Sequence, residues 1–227
     1  MIESNDNRPW GIGHAVLAVF VGFMAVVVAE VALGPGLTDV EVWRFAVPAQ
    51  TLATVGLVAL LASESARRRV SLGLRYEGSD LIGLPIGLGI QFAASVVLAV
   101  IVFLFMDGEA PTQEVIDSAA TLGGMDRMLV VLGAGLLAPA SEELVFRGVL
   151  LRALILRRGA TFATYVSAAA FASLHLLDPD AWLAVPVLFV VGVVLAKQAI
   201  ATGRLAKPFL THAAFNLVAV ASLFLVE

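Results

Sequence analysis

Long apolar runs constrain this chain more than any other feature. Runs of roughly 20 residues recur from Val16 to the C-terminus, separated by short polar breaks, and a helix of about 20 residues spans the roughly 30 Å hydrocarbon core of a bilayer. The candidate spans are roughly 14–33, 43–63, 80–105, 127–150, 160–177, 182–201 and 206–225. The sequence therefore predicts a single all-α integral membrane domain over residues 1–227, a polytopic bundle of about seven transmembrane helices.

Composition agrees with a membrane protein and excludes several functions. Hydrophobic residues make up 60% and charged residues 14%, whereas soluble domains are about half apolar and about a quarter charged. The absence of cysteine excludes disulfides, thiolate catalysis and iron–sulfur clusters. The 14 basic residues lie in short clusters in a chain of net charge −4, so we expect a lipid bilayer and no nucleic acid among the partners.

The distribution of charge predicts the orientation, because Lys and Arg concentrate in cytoplasmic loops. Most basic residues fall in the N-terminal tail and in alternate connections, namely Arg8, then Arg67, Arg68, Arg69 and Arg75, then Arg152, Arg157 and Arg158, then Lys197, Arg204 and Lys207. We expect a multi-pass protein of the cell membrane with its N-terminus inside and its C-terminus outside. Segment 111–122 is too short and polar to span, which predicts an interfacial helix or a loop.

Three ionisable residues lie within the fourth span, in the stretch Ser141–Arg147. Each costs about 2.5–3.5 kcal/mol at the centre of a bilayer. Glu143 precedes Arg147 by four residues, the favourable order for an ion pair on a helix, whereas Glu142 is rotated from Glu143 by about 100°. We expect Glu143 and Arg147 to neutralise each other and Glu142 to stay available. The alternative is an inert buried network of all three.

Two histidines lie in the late spans. His175 follows Phe171 by four residues and His212 precedes Asn216 by four, so each pair shares a helix face. A lone histidine in an apolar helix is more often a core residue than a catalyst, but two histidines together with an unpaired carboxylate favour a functional site. His14, near the start of the first span, is assigned no function.

The spacing around Gly159 predicts that Glu142 and His175 converge. Glu142 lies 17 residues before Gly159 and His175 lies 16 after it, so an antiparallel hairpin turning there would bring them to one level. The three arginines at the turn predict that the hairpin projects into the cytoplasm. This placement lowers the pair toward the depth of His212.

Three ordered motifs in apolar helices carry a resemblance: Glu142-Glu143-x-x-x-Arg147, Phe171-x-x-x-His175 and His212-x-x-x-Asn216. Together they resemble the CAAX protease and bacteriocin-processing family, also called the Abi membrane proteins. The resemblance covers residues 142–216, and the first three spans match only in general character. It implies an intramembrane endopeptidase related to the type II CAAX prenyl endopeptidases, acting on a membrane-associated peptide or protein.

The resemblance also implies roles for the motif residues. By position, Glu142 and His175 would activate water, and His212 and Asn216 would stabilise the tetrahedral oxyanion, at a site toward the cytoplasmic leaflet. The residues that would support the site are Glu143, Arg147 and Phe171. Eukaryotic members of the family remove the C-terminal tripeptide of prenylated proteins, and many bacterial members are linked to peptide processing or bacteriocin self-immunity.

Two chemistries fit the motif residues. We favour glutamate catalysis without a cofactor, because His-Glu-x-x-His is absent and an asparagine beside His212 suits an oxyanion site. In the alternative, Glu142, His175 and His212 would hold Zn²⁺ or another divalent metal. Two non-enzymatic functions also stay open: a membrane scaffold or bacteriocin-immunity protein, and a transporter, although inverted repeats are not visible.

Overall fold

The computed structural model describes residues 9–34, 36–106 and 122–224, and within these ranges it contains helices and no strand. The α-helices, in chain order, are α1 (Ile12–Leu33), α2 (Val47–Ser63), α3 (Ala66–Leu72), α4 (Gly83–Phe105), α5 (Gly124–Leu132), α6 (Ala138–Glu143), α7 (Leu151–Leu174), α8 (Val185–Thr202) and α9 (Ala206–Leu223). The shorter elements include a three-residue helix, Asp39–Glu41, and 3₁₀ turns at Gly78–Ile82, His175–Leu177 and Pro179–Leu183.

Within the described ranges, five continuous helical stretches are long and apolar enough to cross a membrane: Ile12–Leu33, Val42–Ser63, Gly78–Phe105, Gly124–Leu177 and Val185–Thr202. The all-α, multi-pass prediction is confirmed. The fourth stretch has 54 residues, roughly 81 Å if straight, and Gly159 breaks it with φ 79° and ψ 171°. The hairpin at Gly159 is thus present, but the preceding helix continues past Leu150, where we placed the end of the fourth span. The count of seven spans stays a prediction, and residues 111–121 of the proposed interfacial segment lie outside the described residues.

In the part of the chain that the structure describes, three π-helical segments interrupt the α-helices: Val42–Ala46, Gly133–Leu137 and Leu144–Leu150. The first two lie just before a proline, Pro48 or Pro139. A proline has no N–H and cannot continue the ladder of backbone hydrogen bonds. In the second segment the Ala138 N–H reaches Gly133 O in the π pattern, so the next such bond, to Ala134 O, would need an N–H from Pro139. Ala134 O is therefore left for another donor.

Small residues set the position of α9 against α4. A Cβ at Gly83 would lie 2.6 Å from Lys207 O, and one at Gly87 would collide with Thr211 O. Glycine at these two positions lets the helix backbones approach closely, as small residues do in membrane bundles. The close approach fixes the height and rotation of the α9 segment that carries His212.

Contacts between connections divide the bundle into two ends. At one end, Trp10 Nε1 donates to Ser71 Oγ at 2.8 Å, Arg157 reaches Trp10 O at 3.5 Å, and Leu205 N donates to Gly73 O at 2.9 Å. These are the N-terminal tail and the connections that the basic residues assign to one side. Their grouping agrees with the alternation we predicted, while the side that faces the cytoplasm stays a prediction.

Arg204 adds an ion-pair cluster at the same end. Its Nη2 lies 2.9 Å from Asp80 Oδ1 and its Nη1 lies 2.8 Å from Glu77 Oε1. The hydrogen bond to Asp80 raises the pKa of Arg204. At the opposite end, Arg44 Nη2 pairs with Asp126 Oδ1 at 2.7 Å.

Candidate active site

Glu143 and Arg147 form the ion pair that their spacing predicts. Arg147 Nη1 lies 2.9 Å from Glu143 Oε1, and both side chains are buried. Arg147 Nη2 also donates to Gly192 O at 3.2 Å. Since a buried charge is tolerated when it is paired and hydrogen-bonded, this pair can stay within the bundle.

His212 connects the two glutamates from the opposite helix. Its Nδ1 lies 2.9 Å from Glu143 Oε1, and because a carboxylate only accepts, the ring donates through an Nδ1–H. Its Nε2 lies 3.5 Å from Glu142 Oε2, which is beyond normal hydrogen-bond length. The imidazole is thus anchored on one side and faces the second carboxylate with its other nitrogen.

Glu142 differs from Glu143 in exposure. Its side chain is 28% exposed and lines a cavity of about 640 Å³, which we call the large cavity. Glu143 is 2% exposed and lines a separate cavity of about 390 Å³. Of the two carboxylates, Glu142 is therefore the one that a molecule in the large cavity can touch.

His175 and Asn216 line the large cavity together with Glu142. His175 Nδ1 lies 3.1 Å from Phe171 O, and because the carbonyl only accepts, Nδ1 carries the proton and leaves Nε2 as an acceptor in the neutral ring. The structure thus brings Glu142 and His175 to one cavity. Within the described residues, however, the histidine in direct contact with Glu142 is His212.

Phe171 packs at the centre of the site and is fully buried. Its ring meets His175 and His212 edge-on, with centroids 5.2 and 5.4 Å apart, and meets Phe146 at 5.5 Å. The Arg147 guanidinium lies 4.6 Å from the ring centroid, within cation–π distance. Phe171 therefore spaces both histidines and covers the buried cation.

Asn216 owes its orientation to the π-helical segment Gly133–Leu137. Its Nδ2 donates to Ala134 O at 2.9 Å, the carbonyl that Pro139 cannot satisfy. One N–H of the amide is fixed by this bond, and the second N–H stays available to a group in the large cavity. The proline that widens the helix thus also provides the acceptor that holds Asn216.

Sequence reasoning missed a set of uncharged polar side chains on the large cavity. They come from the first part of the chain: Trp43, Gln50, Thr51, Thr54 and Gln91. The signal was present, since each of the last four is a polar residue inside an apolar run, and Gln50, Thr51 and Thr54 share a helix face. Uncharged polar residues are tolerated singly in a membrane helix, so these positions do not stand out along the sequence as the ionisable residues do.

The donor arrangement does not favour a metal. Among the residues that the structure describes, no three His, Asp or Glu side chains are grouped so as to hold an ion. His212 directs one ring nitrogen at Glu143 and faces Glu142 with the other. A metal held by Glu142, His175 and His212 therefore stays an alternative prediction.

Comparison with known proteins identifies the part of the chain that holds the site. Residues 124–218 match the family model described as type II CAAX prenyl endopeptidase Rce1-like. No curated protein and no solved structure matched the chain. The matched segment contains the acidic pair, both site histidines and Asn216, in agreement with the resemblance to CAAX proteases. Residues 124–218 are therefore similar to the Rce1-like family, and this similarity implies an intramembrane endopeptidase of the CAAX kind.

Proposed function

We propose that this protein hydrolyses a peptide bond of a membrane-associated peptide or protein, with water activated by Glu142. The observation that carries the proposal is the contrast within the acidic pair: Glu142 lines the large cavity, whereas Glu143 is buried in contact with Arg147 and His212. A carboxylate beside a cavity that can hold a peptide is in the right place to act as a general base.

In the proposed mechanism, one water molecule donates one hydrogen bond to Glu142 and a second to Nε2 of His175. The water oxygen attacks the carbonyl carbon while Glu142 takes the proton. The tetrahedral oxyanion accepts hydrogen bonds from Nε2–H of His212 and from the second N–H of Asn216, which stabilise the developing charge. When the carbon–nitrogen bond breaks, Glu142 returns its proton to the leaving amine.

The buried pair supports this chemistry by balancing charge. With His212 protonated, Glu142, Glu143, Arg147 and His212 together carry no net charge. A neutral cluster avoids the cost of an isolated ion in a bilayer. Glu143 and Arg147 position His212 through the Nδ1 bond and do not touch the substrate.

The test is a cleavage assay on the purified protein in liposomes, with fluorogenic peptides that carry a CAAX-type C-terminus, prenylated and unprenylated. We expect cleavage by the wild type and its loss in Glu142→Gln, which keeps the shape but removes the base. Glu64→Gln is the matched control, because Glu64 is exposed and pairs with Arg68 away from the cavity. Equal cleavage by Glu142→Gln and the wild type would favour the scaffold or immunity function instead.

We also propose that the basic end of the bundle, which carries Arg204, faces the cytoplasm. Reporter fusions after Arg69, Arg158 and Lys207 should give cytoplasmic signals. A fusion at Asp180 should give an exterior signal. An exterior signal after Arg158 would contradict this placement.

A further inference from the structure

The large cavity is lined by a second set of polar side chains besides Glu142, His175 and Asn216. We define the polar wall as Trp43, Gln50, Thr51, Thr54 and Gln91, all of which line the cavity. We infer that the polar wall binds the main chain of the substrate as an extended, uncharged peptide segment. This inference rests on the proposed function and names the form in which its substrate is held.

Two atoms of the polar wall carry the inference. Trp43 Nε1 and Gln91 Oε1 are buried and have no hydrogen-bond partner among the described residues. Nε2 of Gln91 donates to Ser95 Oγ at 3.2 Å, which fixes the amide so that Oε1 is the end left unsatisfied. A buried polar atom without a partner costs free energy that a ligand bond recovers.

The chemistry of these atoms selects a peptide main chain. One is a donor and the other is an acceptor, and a main chain offers a C=O to the first and an N–H to the second. An extended segment within a membrane cavity has no internal hydrogen bonds, so each of its backbone groups needs an external partner. The neighbouring hydroxyls of Thr51 and Thr54 can serve as either donors or acceptors.

The remaining lining restricts the side chains of the segment. Apart from Ser141 and the polar groups already named, the large cavity is lined by aliphatic, alanine and phenylalanine side chains, and its lining includes no Lys or Arg. An acidic side chain or a free C-terminal carboxylate held there would have no cation to pair with and would face Glu142. The segment on either side of the scissile bond is therefore uncharged and apolar.

The experiment measures binding, so that it does not depend on turnover. A fluorescent apolar peptide is titrated against Glu142→Gln protein, and against the same protein carrying Gln91→Leu or Trp43→Phe. Each added change should raise Kd by about 2- to 10-fold, the effect of one lost hydrogen bond. Gln198→Leu and Trp182→Phe are matched controls, since neither residue lines the cavity, and they should leave Kd unchanged.

An ester scan of the peptide identifies the bond itself. Replacing one amide by an ester removes one N–H. At one position of the peptide this replacement should weaken binding to the Glu142→Gln protein that keeps Gln91. It should not further weaken binding to the protein that also carries Gln91→Leu. Equal weakening of both proteins at every position, an unchanged Kd in Gln91→Leu and Trp43→Phe, or no peptide binding at all would overturn the inference. If Gln91→Leu does not fold, the scan is read on the Glu142→Gln protein that keeps Gln91. If no ester position then weakens binding, the inference is overturned. Peptide that binds as expected but is never cleaved by the wild type would leave the polar wall in place and contradict the proposed protease.

Discussion

Glu142 and Glu143 are adjacent in the sequence, yet they lie on different cavities with different lining. The large cavity beside Glu142 collects polar groups from several helices. The smaller cavity beside Glu143 is lined mainly by aliphatic side chains, with Arg75 and Tyr76 among the others. A rotation of about 100° along one helix is enough to give one carboxylate a place beside substrate and the other a structural partner.

The largest expected effect is the loss of turnover when Glu142 or His175 is replaced. Glu142→Ala and His175→Ala should each lower kcat by about 10²–10⁴, the range for a lost general base. Because the two act on one water molecule, the double variant should be little worse than either single variant. Cleavage assays on all three measure this. Multiplicative losses would show that the two residues act independently.

Substitutions of Glu143 and Arg147 should lower the stability of the protein. Glu143→Gln or Arg147→Met leaves a buried charge without its partner, which should cost about 3–5 kcal/mol of unfolding free energy. The double variant Glu143→Leu/Arg147→Met should recover part of that loss. Unfolding in detergent measures it. Glu64→Gln is the control, because it breaks the pair that exposed Glu64 makes with Arg68 at the same spacing and should cost about 1 kcal/mol or less. Equal small losses in both pairs would contradict the structural role.

Asn216 sharpens the comparison, because it lies on the large cavity but takes no proton in the mechanism. Asn216→Ala should lower kcat by about 10²–10³, the cost of one oxyanion donor, with little change in KM. Steady-state kinetics separate the two parameters. A rise in KM at unchanged kcat would make Asn216 a substrate-binding residue.

The smallest expected effect is that of chelation. Since the proposed glutamate mechanism uses no metal, incubation with a strong chelator should leave the cleavage rate unchanged. Loss of activity that zinc restores would place Glu142, His175 and His212 in a ligand set. Glu142 would then be a metal ligand and not the general base that its place on the large cavity suggests.

The sequence predicted what depends on position along one helix. The Glu143–Arg147 pair follows from a spacing of four, and the turn at Gly159 follows from the break between the fourth and fifth apolar runs. It did not predict that His212 would lie nearest Glu142. That contact depends on how α9 is rotated against α6, which is set by close packing on Gly83 and Gly87 and by the π-helical segments.

The π-helical segments were hidden because they leave the apolar pattern intact while adding a residue to a turn. The polar wall was hidden for a different reason. Its glutamines and threonines carry no charge and are tolerated singly in a membrane helix. Their meaning arises only when several helices bring them to one cavity.

The bond between His212 and Glu143 has a consequence for biosynthesis. The two residues are 69 positions apart, a distance that a ribosome covers in roughly 3 to 14 s at 5–20 residues per second. During that interval Glu142, Glu143 and Arg147 are in the nascent chain with one net negative charge and without the histidine that balances it. We expect the helix hairpin around Gly159 to enter the membrane fully only when α9 has been made, so that the last helix completes insertion as well as the site.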